Sequence, residues 1–243
     1  MYRIKISLLT STENGKQPTE NYLYLMKKKA LIFDMDGTMV DNMMVHHHAW
    51  QSKLAEVGKE LTLEEVIATC HGMNDDILVR IFGDQYTFEE RDRISAEKEA
   101  RYREIFLEQL RLIDGLPELL AKAAELNIPM GIGTAARYEN VDYVLDNLNI
   151  RHYFKAIVCD RDVKKGKPDP SVFFQVAQTL GVEPDECLVF EDSPTGARTA
   201  FNAGMEAIIL TTTHKAEEFE TFTSVRKCVK DYTEIDLEEE LAK

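Results

Sequence analysis

The sequence lacks both a surplus of basic residues and any long apolar run. Its 243 residues include 29 lysines and arginines against 43 aspartates and glutamates, which gives a formal net charge of −14. Nucleic-acid binders and proteins held on anionic lipids need a basic face, so neither class fits. No apolar segment approaches the roughly 18 residues of a membrane span. We therefore expect no nucleic-acid partner and no membrane partner.

Cysteine is also sparse, and the four cysteines contain no C-x-x-C pair: Cys70, Cys159, Cys187 and Cys228. This spacing disfavours a zinc ribbon or a thioredoxin-like motif. The thiols are most simply core residues of an intracellular protein, which predicts a cytoplasmic location. A hydrophobic content of 44% is enough for a sizeable core and too high for a disordered chain.

The chain divides into three stretches of different pattern. Residues 1–25 differ in composition from the rest of the chain and have no signal-peptide apolar region, so we predict a peripheral extension. Residues 42–113 carry apolar residues at helical spacing, and residues 88–113 are predicted to form one long amphipathic helix. From residue 114 onward helical patterns alternate with short apolar strands, and the last predicted helix is acidic and solvated.

This alternation predicts an α/β fold with a doubly wound parallel sheet, because continuous apolar strands must be covered on both faces. The first strand, residues 30–34, precedes the helical stretch, and the other strands come after it. We therefore predict a core made of residues 26–41 and 114–243. The inserted helical segment, residues 42–113, is called the cap below.

Polar residues follow the predicted strands where each strand ends. "LIF" is followed by Asp34 and Asp36, "MGIG" by Thr134, and "CLVF" by Glu191 and Asp192, while the loop after "AIVCD" carries Lys167. In open parallel sheets ligands bind at the carboxyl ends of the strands, so these groups should meet there. Crowded carboxylates are tolerable around a divalent cation, and hard oxygen ligands suit Mg²⁺.

The spacing of the first two acids indicates that the two carboxylates have different chemical roles. Asp34 and Asp36 are two residues apart at a strand end, so their side chains start on the same side. Gly37 allows a sharp turn that brings the second acid back over the first. One carboxylate can then be a nucleophile while the other handles protons, provided that their environments separate their pKa values.

The motifs "DMDGT", Thr134, "GKPDP" and "FEDSPTG" resemble, in this order, the four motifs of the haloacid dehalogenase (HAD) superfamily. The chain resembles the β-phosphoglucomutase-like phosphatase subgroup from about Lys28 to the C-terminus, which implies a HAD-like core with a small helical cap. The resemblance implies that Asp34 attacks phosphorus to form an aspartyl-phosphate and that Asp36 is the general acid and base. Thr134 and Lys167 would then hold the phosphoryl oxygens.

The same resemblance implies a Mg²⁺ ion bound by Asp34, Asp192 and the backbone carbonyl of Asp36. Glu191 would assist, either directly or through water. The predicted function is Mg²⁺-dependent hydrolysis of a small-metabolite phosphate, and a sugar phosphate is the favoured substrate. The enzyme is predicted to be a monomer or weak homo-oligomer. A β-phosphoglucomutase-type isomerase would use the same acids and is the main alternative, and an inactive binding module is a remote one.

Three residues near the start of the cap are further candidates. His46 matches a hinge-side histidine of the subgroup, where it would orient the general acid or the leaving group. Packing is the competing interpretation, because His46 lies four residues before Trp50 on one helical face. Asp41 and Asn42 lie where the chain enters the cap, and we predict that they cap the hinge and start a helix.

The segment "CHGMNDD", residues 70–76, resembles the loop that closes over the active site in this subgroup. The predicted substrate-facing residues are His71, Gly72, Asn74 and Asp75. In the mutases this loop carries basic residues that grip a second phosphate, whereas His71 and Asp75 stand at the aligned positions here. A carboxylate facing a second phosphate would repel it, which favours a phosphatase over a mutase.

Overall fold

The structure is a computed structural model that describes residues 26–243, so the predicted extension of residues 1–25 lies outside the described residues. The core is built on a six-stranded sheet in which all neighbouring strands are parallel. The strands are β1 (Ala30–Phe33), β2 (Met130–Gly133), β3 (Phe154–Val158), β4 (Cys187–Glu191), β5 (Glu206–Leu210) and β6 (Val225–Val229). Their order across the sheet is β3-β2-β1-β4-β5-β6.

The apolar strands are covered on both faces. All four residues of β1 are fully buried. Leu31 and Phe33 belong to one hydrophobic cluster, whereas Ala30 and Ile32 belong to another. Alternate residues of a strand point to opposite faces, so each face of the sheet has its own core. The predicted doubly wound parallel sheet is confirmed.

Nine helices accompany the sheet within the described residues. Four lie in the cap: α1 (Met43–Glu56), α2 (Leu63–Thr69), α3 (Asn74–Phe82) and α4 (Phe88–Phe106). Five lie in the core: α5 (Leu116–Glu125), α6 (Tyr138–Asn147), α7 (Ser171–Leu180), α8 (Pro194–Asn202) and α9 (Leu237–Ala242).

The cap helices pack around a small hydrophobic cluster of their own, centred on Trp50, Leu54 and Leu78. α2 begins with a capping box, in which Thr62 and Glu65 exchange hydrogen bonds. α4 is shorter than the predicted helix of residues 88–113. It ends at Phe106 because the chain must turn back to the core there.

The C-terminal part differs from the prediction at two points. The sequence pattern did not reveal β6, because this edge strand is mostly half-buried and its short apolar pattern is interrupted by two adjacent cations, Arg226 and Lys227. α9 is not solvated on all sides. Glu240 is only 1% exposed and lies within 3.5 Å of Arg226 and 3.0 Å of Lys227.

No helix between residues 26 and 243 combines the length and the apolar character needed to cross a bilayer. All four cysteines are free thiols, and three of them are buried.

Candidate active site

The carboxyl ends of β1 and β4 bring the first charged residues together. Asp34 follows β1 and donates its backbone N–H to the carbonyl of Phe190 in β4, at 2.9 Å. Lys167, from the loop after β3, donates to Asp34 Oδ1 at 2.7 Å and to Glu191 Oε1 at 2.6 Å. Burial alone would lower the pKa of Lys167, but the two carboxylates outweigh burial and hold this pKa above its ordinary value.

Glu191 is anchored at the start of α8. Its Oε2 accepts hydrogen bonds from the backbone N–H groups of Asp192 and Ser193, at 2.8 and 2.9 Å, and from the Ser193 hydroxyl at 3.0 Å. Burial would raise the pKa of Glu191, but Lys167 and the backbone donors outweigh burial and lower it. Both oxygens of Glu191 are engaged, so this residue has less capacity for a direct metal bond than its acidic neighbours.

Three buried carboxylates converge beside Lys167. One oxygen each from Asp34, Glu191 and Asp192 lies within 4.8 Å of the other two. Burial, followed by the charge of Glu191, raises the pKa of Asp34 to about 7 against the opposing effect of Lys167. Burial and the charges of Glu191 and Asp34 raise the pKa of Asp192 well above its ordinary value. One ammonium does not balance three carboxylates, so this hard, oxygen-rich donor set fits a divalent cation such as Mg²⁺.

Gly37 makes room for one of these acids. Its φ of +75° lies in the left-handed region, and a Cβ atom at this position would be only 2.1 Å from Asp192 Oδ2. Only glycine therefore allows the turn after Asp36 to approach Asp192 this closely.

Thr134 directly follows β2, the strand that pairs with β1 on the side away from β4, so it lies at the same edge of the sheet as Asp34. The residue is 2% exposed, and its hydroxyl oxygen accepts the backbone N–H of Ala136 at 3.2 Å. The hydroxyl of Thr134 keeps its own O–H as a donor for a ligand oxygen.

Asp36 has a separate set of partners. Its Oδ1 accepts a hydrogen bond from Asn42 Nδ2 at 2.6 Å and lies 3.5 Å from His46 Nε2. Asn42 is only 1% exposed, and its Oδ1 accepts the backbone N–H of Gly37 at 3.1 Å. The prediction for Asn42 needs correction, because its side chain makes no capping hydrogen bond to α1 and holds Asp36 and Gly37. Asp41, its neighbour, is exposed.

These partners also set the charge of Asp36. Burial would raise the pKa of Asp36, but His46 and then Asn42 outweigh burial and lower it. Asp34 and Asp36 therefore have pKa values displaced in opposite directions, although only one residue separates them.

A buried polar chain continues from Asp36 into the cap. His46 stacks on Tyr102, with ring centroids 3.8 Å apart, and its Nδ1 lies 2.7 Å from Lys98 Nζ. Lys98 in turn donates to Glu99 Oε1 at 2.9 Å. Burial opposes ionisation of Glu99, but Lys98 and His46 hold the pKa of Glu99 at about 2. The general acid candidate is thus connected to a buried ion pair of the cap.

Glu99 also connects residues 70–76, called the cap loop below, with the core. Its Oε1 accepts a hydrogen bond from Asn74 of the cap loop, and its Oε2 accepts one from Asn140 of α6, both at 2.7 Å. Asn140 is 1% exposed, so this contact lies inside the cap–core boundary. The predicted candidate Asn74 therefore lies in the polar chain that leads to Asp36.

Sequence reasoning missed Lys98, Glu99 and Tyr102. One signal for Lys98 was present, because it interrupts a row of apolar residues at four-residue spacing, Ile94, Tyr102 and Phe106. A charge inside an apolar helical stripe must be paired when the stripe is buried. Lys98 is indeed only 1% exposed.

The predicted substrate-facing residues of the cap loop lie in different surroundings. His71 and Gly72 are exposed. Asp75 binds Arg91 inside the cap, with 2.6 Å between Oδ1 and Nε. Although His71 is exposed, the partial desolvation of its imidazole, followed by the charge of Arg80, lowers the pKa of His71, so the neutral form predominates at pH 7.

The cap contacts the core on both sides of this loop. Met73 lies against Gly166, where a Cβ atom would be 2.7 Å from its Sδ. Asp92 of α4 lies 2.9 Å from Arg137 and 2.7 Å from Arg161, both in the core. The cap is therefore closed over the loop that carries Lys167.

Comparison with known proteins covers the same residues. The sequence profile described as haloacid dehalogenase-like hydrolase matches residues 31–210, a span that contains every site residue above. A fructose-1-phosphate phosphatase of Escherichia coli is 34% identical over 181 residues, which are 73% of this chain and 94% of that protein. A β-phosphoglucomutase of Bacillus subtilis is 30% identical over 200 residues, 74% of this chain and 82% of that one.

A solved structure gives the same picture at the level of the fold. The HAD hydrolase of family IA, variant 3, from Entamoeba histolytica superposes with a TM-score of 0.80 at 25% sequence identity. The match covers 88% of this chain and 97% of that one, so it includes both core and cap.

Proposed function

The chain is a phosphohydrolase of the haloacid dehalogenase-like hydrolase family, and on that premise we propose that it hydrolyses a small sugar phosphate through an aspartyl-phosphate on Asp34. The observation that carries the proposal is the separation of two neighbouring acids into different environments. Asp34 contacts Lys167, whereas Asp36 is held by Asn42 and His46. Such a separation assigns one acid to nucleophilic attack and the other to proton transfer.

In the first step an Asp34 oxygen bonds to phosphorus while the bond from phosphorus to the sugar oxygen breaks. Lys167 and Thr134 donate to the phosphoryl oxygens and offset their charge. Asp34, Asp192 and the backbone carbonyl of Asp36 would hold Mg²⁺, which when bound supplies further positive charge against the phosphoryl group. Glu191 acts on this set indirectly, because it orients Lys167 and accepts the backbone N–H groups of Asp192 and Ser193 just before α8.

Asp36 gives a proton to the departing sugar oxygen. Without substrate its lowered pKa keeps it ionised. A phosphate dianion that enters beside it raises this pKa, because a like charge disfavours the carboxylate. Asp36 then takes up a proton from solvent, and this is the proton that it gives to the sugar oxygen. In the second step the ionised Asp36 takes a proton from the water that attacks the aspartyl-phosphate, and free phosphate leaves.

The cap loop favours a substrate with one phosphate. A mutase must also hold a second phosphate, for which cationic side chains are needed. Arg91 is paired with Asp75, Arg80 donates to the backbone carbonyls of Thr69 and His71, and the imidazole of His71 is neutral at pH 7. The related mutase makes isomerisation the second candidate, and an inactive module is disfavoured because the charged groups of the site are all present.

The test is phosphate release from a panel of sugar phosphates that includes fructose 1-phosphate, with Mg²⁺ and with EDTA. We expect Mg²⁺-dependent release that falls to background in Asp34→Asn and is retained in Asp41→Asn, the matched control at an exposed aspartate. β-Glucose 1-phosphate with catalytic glucose 1,6-bisphosphate tests the alternative. Accumulation of glucose 6-phosphate without free phosphate would show that the enzyme is a mutase.

A further inference from the structure

Tyr232 lies beneath the acids of the site, in a single helical turn that follows β6. It is 2% exposed, and its ring centroid lies 5.5 Å from that of Phe190 and 6.5 Å from that of Phe33. These two phenylalanines stack on each other at 4.8 Å and immediately precede Glu191 and Asp34 in the chain. Tyr232 therefore packs against the ends of the two central strands that carry the charged residues.

The hydroxyl of Tyr232 reaches the loop that follows Asp34. It donates a hydrogen bond to the backbone carbonyl of Thr38 at 3.0 Å. Thr38 is fully buried and lies two residues after Asp36. A buried carbonyl that loses its donor pays the full desolvation penalty, so this bond restricts where the loop can lie.

The chain passes between core and cap in two linkers, the first after Asp36 (residues 37–42) and the second after α4 (residues 110–115). The backbone of Tyr232 holds the second linker, which in turn contacts the first. The Tyr232 N–H donates to the carbonyl of Asp114 in the second linker, at 3.0 Å. The first linker is joined to the second by the Ile113 N–H, which donates to the carbonyl of Met39 at 3.0 Å. Gly115, with a φ of +82°, packs so closely that a Cβ atom there would lie 2.7 Å from the carbonyl carbon of Tyr232.

We propose that Tyr232 is a positioning residue, which fixes the loop of residues 34–38, including Asp36, relative to the two linkers that join the cap to the core. Its side chain holds the start of the first linker and its backbone holds the end of the second, so one residue joins both to the sheet. The inference rests on the proposed phosphatase function. Tyr232 does not touch the phosphoryl group, and its hydroxyl acts on the chemistry through the position of Asp36.

Tyr232→Phe removes the hydroxyl and keeps the ring. Tyr143→Phe is the matched control, because among the described residues the buried Tyr143 hydroxyl has no hydrogen-bond partner. Both variants are assayed with Mg²⁺ on fructose 1-phosphate and on p-nitrophenyl phosphate, at a temperature where thermal unfolding curves show each to be folded. The two esters differ in whether they need a general acid. The sugar oxygen must receive a proton from Asp36 to leave, whereas nitrophenolate leaves without one.

For Tyr232→Phe we expect kcat/KM to fall roughly tenfold or more on fructose 1-phosphate and less than about threefold on p-nitrophenyl phosphate, since small misplacements of a catalytic group have effects of this size. Tyr143→Phe should match the wild type on both esters. Equal losses on the two esters, or a Tyr232→Phe enzyme that matches Tyr143→Phe, would overturn the inference while leaving the phosphatase function intact. A wild-type chain that releases phosphate from no ester of the sugar phosphate panel and none from p-nitrophenyl phosphate would overturn the proposed function, and the inference with it.

Discussion

Asp34→Asn is expected to stabilise the metal-free protein, and increasingly so as the pH rises. Burial raises the pKa of Asp34 from 3.8 to about 7 in the folded chain. Folding therefore favours the protonated acid. As the pH rises above 3.8, ionisation of Asp34 lowers the free energy of unfolding, and this loss is complete above pH 7. Three pKa units correspond to roughly 4 kcal/mol at 1.36 kcal/mol per unit, of which about 2 to 3 kcal/mol builds up between pH 5 and pH 8. Asparagine has the shape of the protonated acid and carries no such penalty.

The assay is thermal unfolding at pH 5 and pH 8 in EDTA and in Mg²⁺. In EDTA the melting temperature of Asp34→Asn should gain roughly 5 to 10 °C on the wild type between the two pH values, at about 2 to 4 °C per kcal/mol. Asp41→Asn, at an exposed position, should follow the wild type throughout. Mg²⁺ should stabilise the wild type more than Asp34→Asn, because the variant lacks one charged ligand.

Two outcomes would refute this reasoning. A stability difference between Asp34→Asn and the wild type that is equal at pH 5 and pH 8 would mean that the ionised carboxylate carries no burial penalty. A difference at pH 8 that Mg²⁺ leaves unchanged would mean that the three converging acids do not form a metal site.

Two further substitutions test the groups around Asp34 and Asp36. Gly37→Ala should lower kcat/KM at least roughly tenfold, because its Cβ would meet Asp192 at 2.1 Å. Gly58→Ala is the control, with a φ of +87° and no atom within 4 Å, and equal activities of the two variants would contradict the steric argument. Glu99→Gln leaves a buried lysine without its anion and should destabilise the fold by roughly 3 to 5 kcal/mol. Glu97→Gln removes an exposed carboxylate from Lys53, which keeps its ion pair with Glu56, and should lose less than about 1 kcal/mol in the same denaturant titration. Similar losses in the two variants would contradict the argument for Glu99.

The fold was predictable where burial alone decides the pattern. Each of β1 to β5 contains an apolar run, since strands covered on both faces have little polar surface, although β3 also includes the exposed Lys155. β6 lies at the sheet edge, and its "VRKCV" pattern carries no comparable signal. The predicted helix of residues 88–113 was too long, because "FLEQLRLI" keeps a helical pattern that the return of the chain to the core overrides. A local pattern cannot reveal the hydrogen bond between Ile113 and Met39, which holds the returning chain against the core.

The site was predictable to the extent that topology determines it. In a parallel sheet every strand ends at the same edge, so Asp34, Thr134 and Asp192 could be brought together from sequence order alone. The partners of Asp36 could not be found in this way. Tyr102 and Asn42 are 60 residues apart in the chain, and their contact follows from how α4 packs on α1.

The two acids of "DMD" consequently belong to different parts of the molecule. Asp34 contacts Lys167, which lies in the core and is held there by Glu191. Asp36 is held by Asn42 at the entrance to the cap, and through His46 it is linked to cap residues. A movement of the cap would therefore change the surroundings of Asp36 directly. Asp34 is linked to the cap less directly, through the contact of Met73 with Gly166 in the loop that carries Lys167. On the proposed function, nucleophilic attack depends on groups held by the sheet, whereas proton transfer depends on groups linked to the cap. This arrangement would admit substrate first and start the chemistry after closure.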